Sequence, residues 1–376
     1  MLSGRIEKQN LKGLNLEELS EIIKNYAPEK YRSVQIFKWL YRTRIKEIDE
    51  MTDISKKLRE ELKKNFFIDK LNLQEIFVDN DDNTRKLLFN LNDGNKIETV
   101  IIPDKERNTL CVSSQVGCRL NCQFCATGSK VKWQRNLTSF EIIDQILTAM
   151  DILEIENKRL TNIVFMGMGE PFENIDNVLK SCDIISSDYS IGMAANRITI
   201  STAGLPDGIR KLADYPKRYE LAVSLNATTD ELRNKLMPIN KKYNLQTLIE
   251  SLKYYSLKKP KNQITFEYVL LKDVNDTDDD LIGLRDFCKN FKEPKINLIL
   301  HNYFDDCKYQ QSTTERLNYF FNKLNYYGVR ALIRRSRGRN IFAACGQLAA
   351  RQRANNILYN KDAKCQKKIK NKLQKL

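Results

Sequence analysis

Residues 117–128 read GCRLNCQFCATG and crowd Cys118, Cys122 and Cys125 into eight positions. The spacing is C-x3-C-x2-C, directly after the strand-like stretch TLCVSSQ. A structural zinc normally takes four ligands. The only histidine, His301, is remote in sequence, and Cys111 would lie inside the strand rather than in the loop. Three thiolates suit a cubane 4Fe–4S cluster better: they hold three irons and leave the fourth open to a small chelating ligand. Gly117 and Gly128 flank the loop, where the backbone must wrap around a bulky inorganic core. A structural zinc site and chance clustering are the alternatives.

Other residues could do chemistry as well. Glu170 closes the glycine-rich stretch MGMGEP, where backbone can approach a ligand and a carboxylate can take an ammonium. Met166 and Met168 beside it read as core packing. Cys345 lies in AACGQ, a small-residue stretch suited to carrying a thiol between partners, and Cys111 lies in the strand before the triplet. Glu98 sits in the strand-like IETVII and reads either as a solvent-facing glutamate or as a proton-transfer group. Cys182, Cys288, Cys307 and Cys365 have nothing reactive around them and read as inert. Nine cysteines, an odd number, in a large chain without an apolar leader fit a reducing, cytoplasmic setting rather than a disulfide framework.

The triplet after the first strand of a β/α domain resembles the signature of radical S-adenosylmethionine (SAM) enzymes. CVSSQVGC, FMGMGEP, LMPINKKYN, VNDT and AACGQLAA, in this order, resemble the RlmN/Cfr family of RNA adenine methyltransferases, from about residue 15 to about residue 350. GEP and RRSRG are similar to the RlmN branch. The resemblance implies a partial (β/α)6 barrel and a 4Fe–4S cluster on Cys118, Cys122 and Cys125. It implies that Gly169 and Glu170 contact the SAM amino group. Ser201, Ser224, Leu225, Asn226 and Asn302 would contact ribose, carboxylate or adenine. The family usually has His where this chain has Asn226, so a side-chain contact there is in question while a backbone contact survives.

C2 of adenine is an electron-poor amidine carbon, so ordinary nucleophilic methylation fails there. The resemblance implies a detour with two SAM molecules per turnover. Cys345 takes a methyl group from the first. A 5′-deoxyadenosyl radical from the second activates that methyl for addition to the ring. Cys111 then resolves the protein–RNA adduct as a Cys111–Cys345 disulfide forms. Glu98 matches the family's general acid/base. The implied partners are 23S rRNA, tRNA and an electron donor such as flavodoxin or ferredoxin. A C8-specific Cfr-like enzyme and a noncatalytic iron–sulfur RNA-binding or redox protein are the competing readings.

The elements that must position these residues fall into an α/β order. Residues 15–66 read as short amphipathic helices, and a helical RNA-binding accessory domain is expected over 1–70. Over 71–107 the apolar period drops to two, with an Asp93-Gly94 turn, as in a small antiparallel linker sheet. From 108 to 350 apolar strands alternate with amphipathic helices, which implies βαβ units on a parallel sheet. Ligands on such sheets bind at the carboxyl ends of the strands. The net charge is +15. Arg334, Arg335, Arg337 and Arg339 form one basic group, and a basic tail over 351–376 carries nine Lys/Arg against Asp362 alone. Such an end suits a polyanion, nucleic acid first. No apolar run approaches the roughly 18 residues of a membrane span, and a monomer is the default expectation.

Overall fold

Strands adjacent in sequence are adjacent in space throughout the main sheet. The structure, a computed structural model, describes residues 8–349; the expected basic tail and Cys365 lie outside them. Ten strands form one sheet: β1 (Asn72–Val78), β2 (Arg85–Asn90), β3 (Lys96–Asp104), β4 (Arg107–Cys111), β5 (Asn162–Phe165), β6 (Ile198–Thr202), β7 (Glu220–Ser224), β8 (Ile264–Leu270), β9 (Lys295–Leu300) and β10 (Arg330–Ile333). From β4 to β10 every pairing is parallel, and β1 to β4 pair antiparallel. The antiparallel strands expected as a linker therefore extend the core sheet, because β3 pairs with β4 through Val100 and Cys111. The strands β1 and β10 are its two unpaired edges, so the barrel is open.

Helices fill the crossovers: α5 (Ser139–Ile155), α6 (Ile175–Ser186), α7 (Pro206–Asp214), α8 (Asp230–Leu236), α9 (Leu245–Lys258), α10 (Asp278–Cys288) and α11 (Thr314–Tyr326). Their starts are encoded locally. Thr138 with Glu141 and Thr277 with Asp280 make reciprocal capping boxes at α5 and α10, leaving fewer backbone N–H groups unpaired. Pro206 and Gly208 stand in the first turn of α7, where proline is tolerated because no N–H partner is needed. The short α4 (Ala126–Lys130) follows the cysteine loop. No helix among the described residues is long and apolar enough to cross a membrane.

Upstream, α1 (Leu16–Ile23), α2 (Lys30–Lys38) and α3 (Lys56–Asn65) form the small helical module. It is seated on the outer face of α5 rather than tethered, and its apolar interior is continuous with that of the barrel. The seat is polar at its centre. Lys12 Nζ donates to Asp144 Oδ1 at 2.8 Å, Leu71 N–H donates to Asp144 Oδ2 at 2.6 Å, and Ser139 Oγ donates to the Gly13 carbonyl at 2.7 Å. Arg44 pairs with Asp151 at 2.6 Å nearer the surface.

Beyond β10 the chain turns back across the open side of the barrel. Gly338 N–H donates to Asp82 Oδ2 at 2.9 Å, and Asn340 Nδ2 donates to Asp79 Oδ1 at 3.0 Å, both acids in the β1–β2 turn. Residues 334–349 thus strap the two free edges together and carry Cys345 over the carboxyl ends of the strands.

Because Lys12 and Asp144 are both buried, removing one partner leaves an uncompensated charge. Asp144→Leu is expected to destabilise the protein by about 3–5 kcal/mol, and Lys12→Met combined with Asp144→Leu to recover most of that loss. Urea denaturation of the three proteins checks it; a single variant within about 1 kcal/mol of the parent would refute a stabilising seat.

Candidate active site

The carboxyl ends of β4 to β9 surround a cavity of about 160 Å³ that is partly open to solvent. Cys118, Cys122 and Cys125 line it, as do Cys111 and Cys345. The loop bearing the triplet is fixed from three sides. Gln123 N–H donates to the Leu236 carbonyl at the end of α8 (2.9 Å), Ala126 N–H to the Gly346 carbonyl (2.7 Å), and Thr127 Oγ1 to the Leu348 carbonyl (2.6 Å). Gly117 starts the loop at φ +74°, and a Cβ there would stand 2.4 Å from the Lys132 carbonyl oxygen.

Burial pushes the Cys118 thiol up to about 12, drives Cys122 well above its ordinary value and raises Cys125. Neighbouring thiols add to the effect at Cys118 and Cys122, so three thiolates are stable here only with a cation among them. Yet no three His, Cys, Asp or Glu side chains among the described residues converge closely enough to hold a single metal ion. A roomy void with three separated thiols fits a cluster of several irons and not a lone zinc. His301, far off in sequence, does reach the cavity wall, where its Nε2 lies 3.7 Å from Cys307 Sγ. Cys182 and Cys288 are core residues, as expected.

Gly169 and Glu170 follow β5. Gly169 has φ +101°, and a Cβ would meet Gln115 Cβ at 2.5 Å. The Glu170 carboxylate is buried, accepting the N–H of Ala203 at 2.8 Å and that of Phe172 at 3.0 Å. Burial outweighs those donors and holds its pKa up to about 7. Met168 is core, and Met166 packs against the core while also lining the cavity, so the packing expectation holds for both.

Ser201, Ser224, Asn226 and Asn302 also line the cavity. Leu225 does not; its side chain is buried in the core, and its carbonyl accepts Arg233 Nε. Asn226 takes φ +58° and spends its side chain on the framework, accepting Val269 N–H at 2.9 Å. Asn302 Nδ2 donates to the Cys345 carbonyl at 3.1 Å, while its buried Oδ1, in a residue lining the cavity, has no partner.

Cys111 is held between β3 and β5 and is nearly buried, whereas Cys345 is exposed on the strap. Desolvation pushes Cys111 up to about 12, and the Cys345 thiol reinforces it. Cys345 is raised too by desolvation of its sulfur, although the residue keeps surface open to solvent. Arg334 opposes both shifts. Its Nη1 stands 3.4 Å from Glu267 Oε2 and 3.4 Å from Met166 Sδ, so a guanidinium sits within the field of both thiols.

The four strap arginines therefore do not act alike. Arg334 turns into the cavity and Arg337 pairs with Asp104 at 3.2 Å, which leaves Arg335 and Arg339 exposed. Glu98 is enclosed rather than solvent-facing, but it stands behind the cavity wall. Its Oε1 pairs with Lys86 Nζ at 2.9 Å and its Oε2 accepts the Ala349 N–H at 2.9 Å, so it grips the strap. Glu267 and Arg233 escaped the sequence reading. A lone acid in the apolar strand ITFEYVLL was the available signal for the first.

Residues 112–285 match the Radical SAM superfamily, and residues 9–68 match the ribosomal RNA large subunit methyltransferase N-terminal domain. The "probable dual-specificity RNA methyltransferase RlmN" of Christiangramia forsetii is 42% identical, covering 91% of this chain and 96% of its own. The "dual-specificity RNA methyltransferase RlmN" of Pelobacter propionicus is 42% identical, with 92% and 99% covered. The crystal structure of a radical SAM methyltransferase from Sphaerobacter thermophilus superposes with a TM-score of 0.86 at 38% identity, covering 91% of this chain and 100% of that one. With the thiol triplet, the open barrel and the strap cysteine all in place, the chain belongs to the RlmN family of radical SAM RNA methyltransferases.

Proposed function

We propose that this protein methylates C2 of adenosine in 23S rRNA and tRNA, through a methyl group carried on Cys345. The observation that carries this reading is the meeting of two kinds of thiol in one cavity: three on the cysteine loop and two, Cys111 and Cys345, beside Arg334. A 4Fe–4S cluster held by Cys118, Cys122 and Cys125, together with SAM, supplies a methyl group and a hydrogen-abstracting carbon radical. Two SAM molecules serve each methyl transferred, and an acidic one-electron carrier of the flavodoxin or ferredoxin class provides the electron.

The chain's own residues do the rest. Arg334 lowers the cost of the Cys345 thiolate, the nucleophile that accepts the methyl group. Glu170 accepts from the SAM amino group, with Gly169 letting the ligand approach. Ser201, Ser224, the Asn226 backbone and Asn302 Oδ1 orient ribose, carboxylate and adenine. Cys111, fixed in the sheet, attacks the Cys345 sulfur of the methylene-bridged adduct: the S–S bond forms as the S–C bond breaks, the carbon keeps the electron pair and takes a proton to become the methyl group, and an external thiol reductant restores the two cysteines. Glu98, implied by the resemblance as the general acid/base, stands outside the cavity and serves this reading by holding the strap that carries Cys345. Arg335 and Arg339 meet RNA phosphates, a contact that steep salt dependence would reveal.

The test is anaerobic reconstitution with SAM, a reductant and RNA. Cys111→Ala is expected to accumulate protein covalently joined to RNA, seen on denaturing gels, and Cys345→Ala to give neither adduct nor product. Normal methylation by both would refute the two-thiol route, and mass spectrometry of the nucleoside separates C2 from C8.

A pH dependence follows from Glu170. Its pKa is raised to about 7, so below that pH the carboxyl is neutral and loses an acceptor for the SAM amino group. Affinity of the cluster-loaded protein for SAM should fall roughly tenfold per pH unit from 7 to 5.5 and level off above 7. Calorimetry on Glu170→Gln should show weaker binding with that slope gone; an equal slope in both proteins assigns it elsewhere.

Arg334→Leu should leave the strap in place and slow alkylation of Cys345 severalfold at pH 8, read by mass spectrometry of the Cys345 peptide. An unchanged rate would mean that Arg334 does not stabilise the thiolate.

A further inference from the structure

Arg233 is the largest fully buried side chain among the described residues, with no exposed surface. It lies on α8, and its guanidinium reaches under the ends of two strands. Nε donates to the Leu225 carbonyl at 3.1 Å, Nη1 to Asn240 Oδ1 at 2.8 Å, and Nη2 to the carbonyls of Ala203 at 2.6 Å and Ser224 at 3.2 Å. All four acceptors are neutral. Asp230, one turn earlier, is turned away: its Oδ1 accepts Asn240 Nδ2 at 2.7 Å and Leu245 N–H at 2.9 Å. A cation is thus enclosed without a carboxylate against it, an arrangement that is strongly unfavourable unless an opposite charge lies near.

The nearby group that could carry that charge is on the cysteine loop. The same helix is bonded to that loop, Gln123 N–H donating to the Leu236 carbonyl at 2.9 Å. Leu236 and Met237 pack in one small cluster with Cys118 and Cys122. Cys122 and Asp230 both lie within the field of Arg233. The loop thiols bear negative charge only when they ligate metal.

We infer that Arg233 is a positioning residue that compensates the charge of the metal centre, holding Cys122 as a ligand and making the cluster easier to reduce. The inference rests on the reading that the three loop thiols hold a 4Fe–4S cluster. Reduction adds one negative charge, and a fixed buried cation favours the state that bears it. The same guanidinium ties the carbonyls of Ala203, Ser224 and Leu225, so charge and strand-end geometry are set by one side chain.

The experiment compares full-length wild type, Arg233→Lys and Arg233→Gln after anaerobic reconstitution with iron and sulfide. Iron content is measured per chain, and the cluster is titrated electrochemically with its electron paramagnetic resonance signal as readout, without SAM. Both variants lose carbonyl bonds, but only lysine keeps the charge. Arg233→Gln should lower the reduced-to-oxidised ratio at fixed potential at least tenfold, about 59 mV toward the negative for one electron. Arg233→Lys should stay near wild type. Equal shifts in both variants, or none in either, overturn the inference, as does an Arg233→Gln chain that circular dichroism finds unfolded before metal is added. A wild-type chain that takes up no cluster overturns the functional reading as well, whereas a loaded wild type with an unshifted glutamine variant overturns this inference alone.

Discussion

The carbonyls of Gly346 and Leu348 accept hydrogen bonds from Ala126 and from Thr127, and those two contacts join segments more than two hundred residues apart. Everything the cavity does depends on them. The barrel is open because its two end strands, β1 and β10, do not pair with each other. An open barrel exposes the carboxyl ends of its strands, where a ligand needs to be enclosed. Closing it with another βα unit would fill the opening through which a large RNA must enter. A strap of small residues closes it instead, and the strap can carry a thiol to the metal loop without occupying the void. Its anchors on Asp79, Asp82 and Glu98 come from the antiparallel strands. Those strands consequently belong to the catalytic architecture and are more than a connection between domains.

Charge is the second constraint. Burial alone raises all five cavity thiols, most of them strongly, which would leave them protonated and inert. Two arginines counter this in two places. Arg334 carries its charge within the field of Cys111 and Cys345. Arg233 carries its charge within the field of Cys122. Glu267 sits beside Arg334 and limits how far that cation can depress its neighbours. The two groups of thiols are therefore tuned separately although they share a cavity.

Much of this was legible in the chain before any coordinates. The period of apolar residues marked every strand of the sheet, and the family resemblance named Ser201, Ser224 and Asn302, which stand after strands, where the placement rule for parallel sheets allows a site. The triplet spacing alone pointed to a metal loop. What could not be read depended on contacts between distant segments. Glu98 resembles any strand glutamate until Lys86 and Ala349 are seen against it. His301 was distant in sequence and reaches the cavity because β9 does. Arg334 belonged to a run of four arginines, and nothing local separates the one that turns inward from those that face solvent. Pro206 and Gly208, residues that break helices elsewhere, suit the first turn of α7.

Asn226 shows how a departure from the family pattern is absorbed. The position requires φ +58°, a conformation in which asparagine is better tolerated than most residues. Its carboxamide then accepts Val269 N–H and donates toward Met237 Sδ, while its carbonyl accepts Asn275 Nδ2 at 2.9 Å. With every polar group of the side chain committed to β8 and to the end of α8, the residue has only backbone left to offer a ligand. An imidazole here could not make both side-chain bonds in the same way. The replacement therefore changes how the strand end is braced and leaves the main chain to face the cavity.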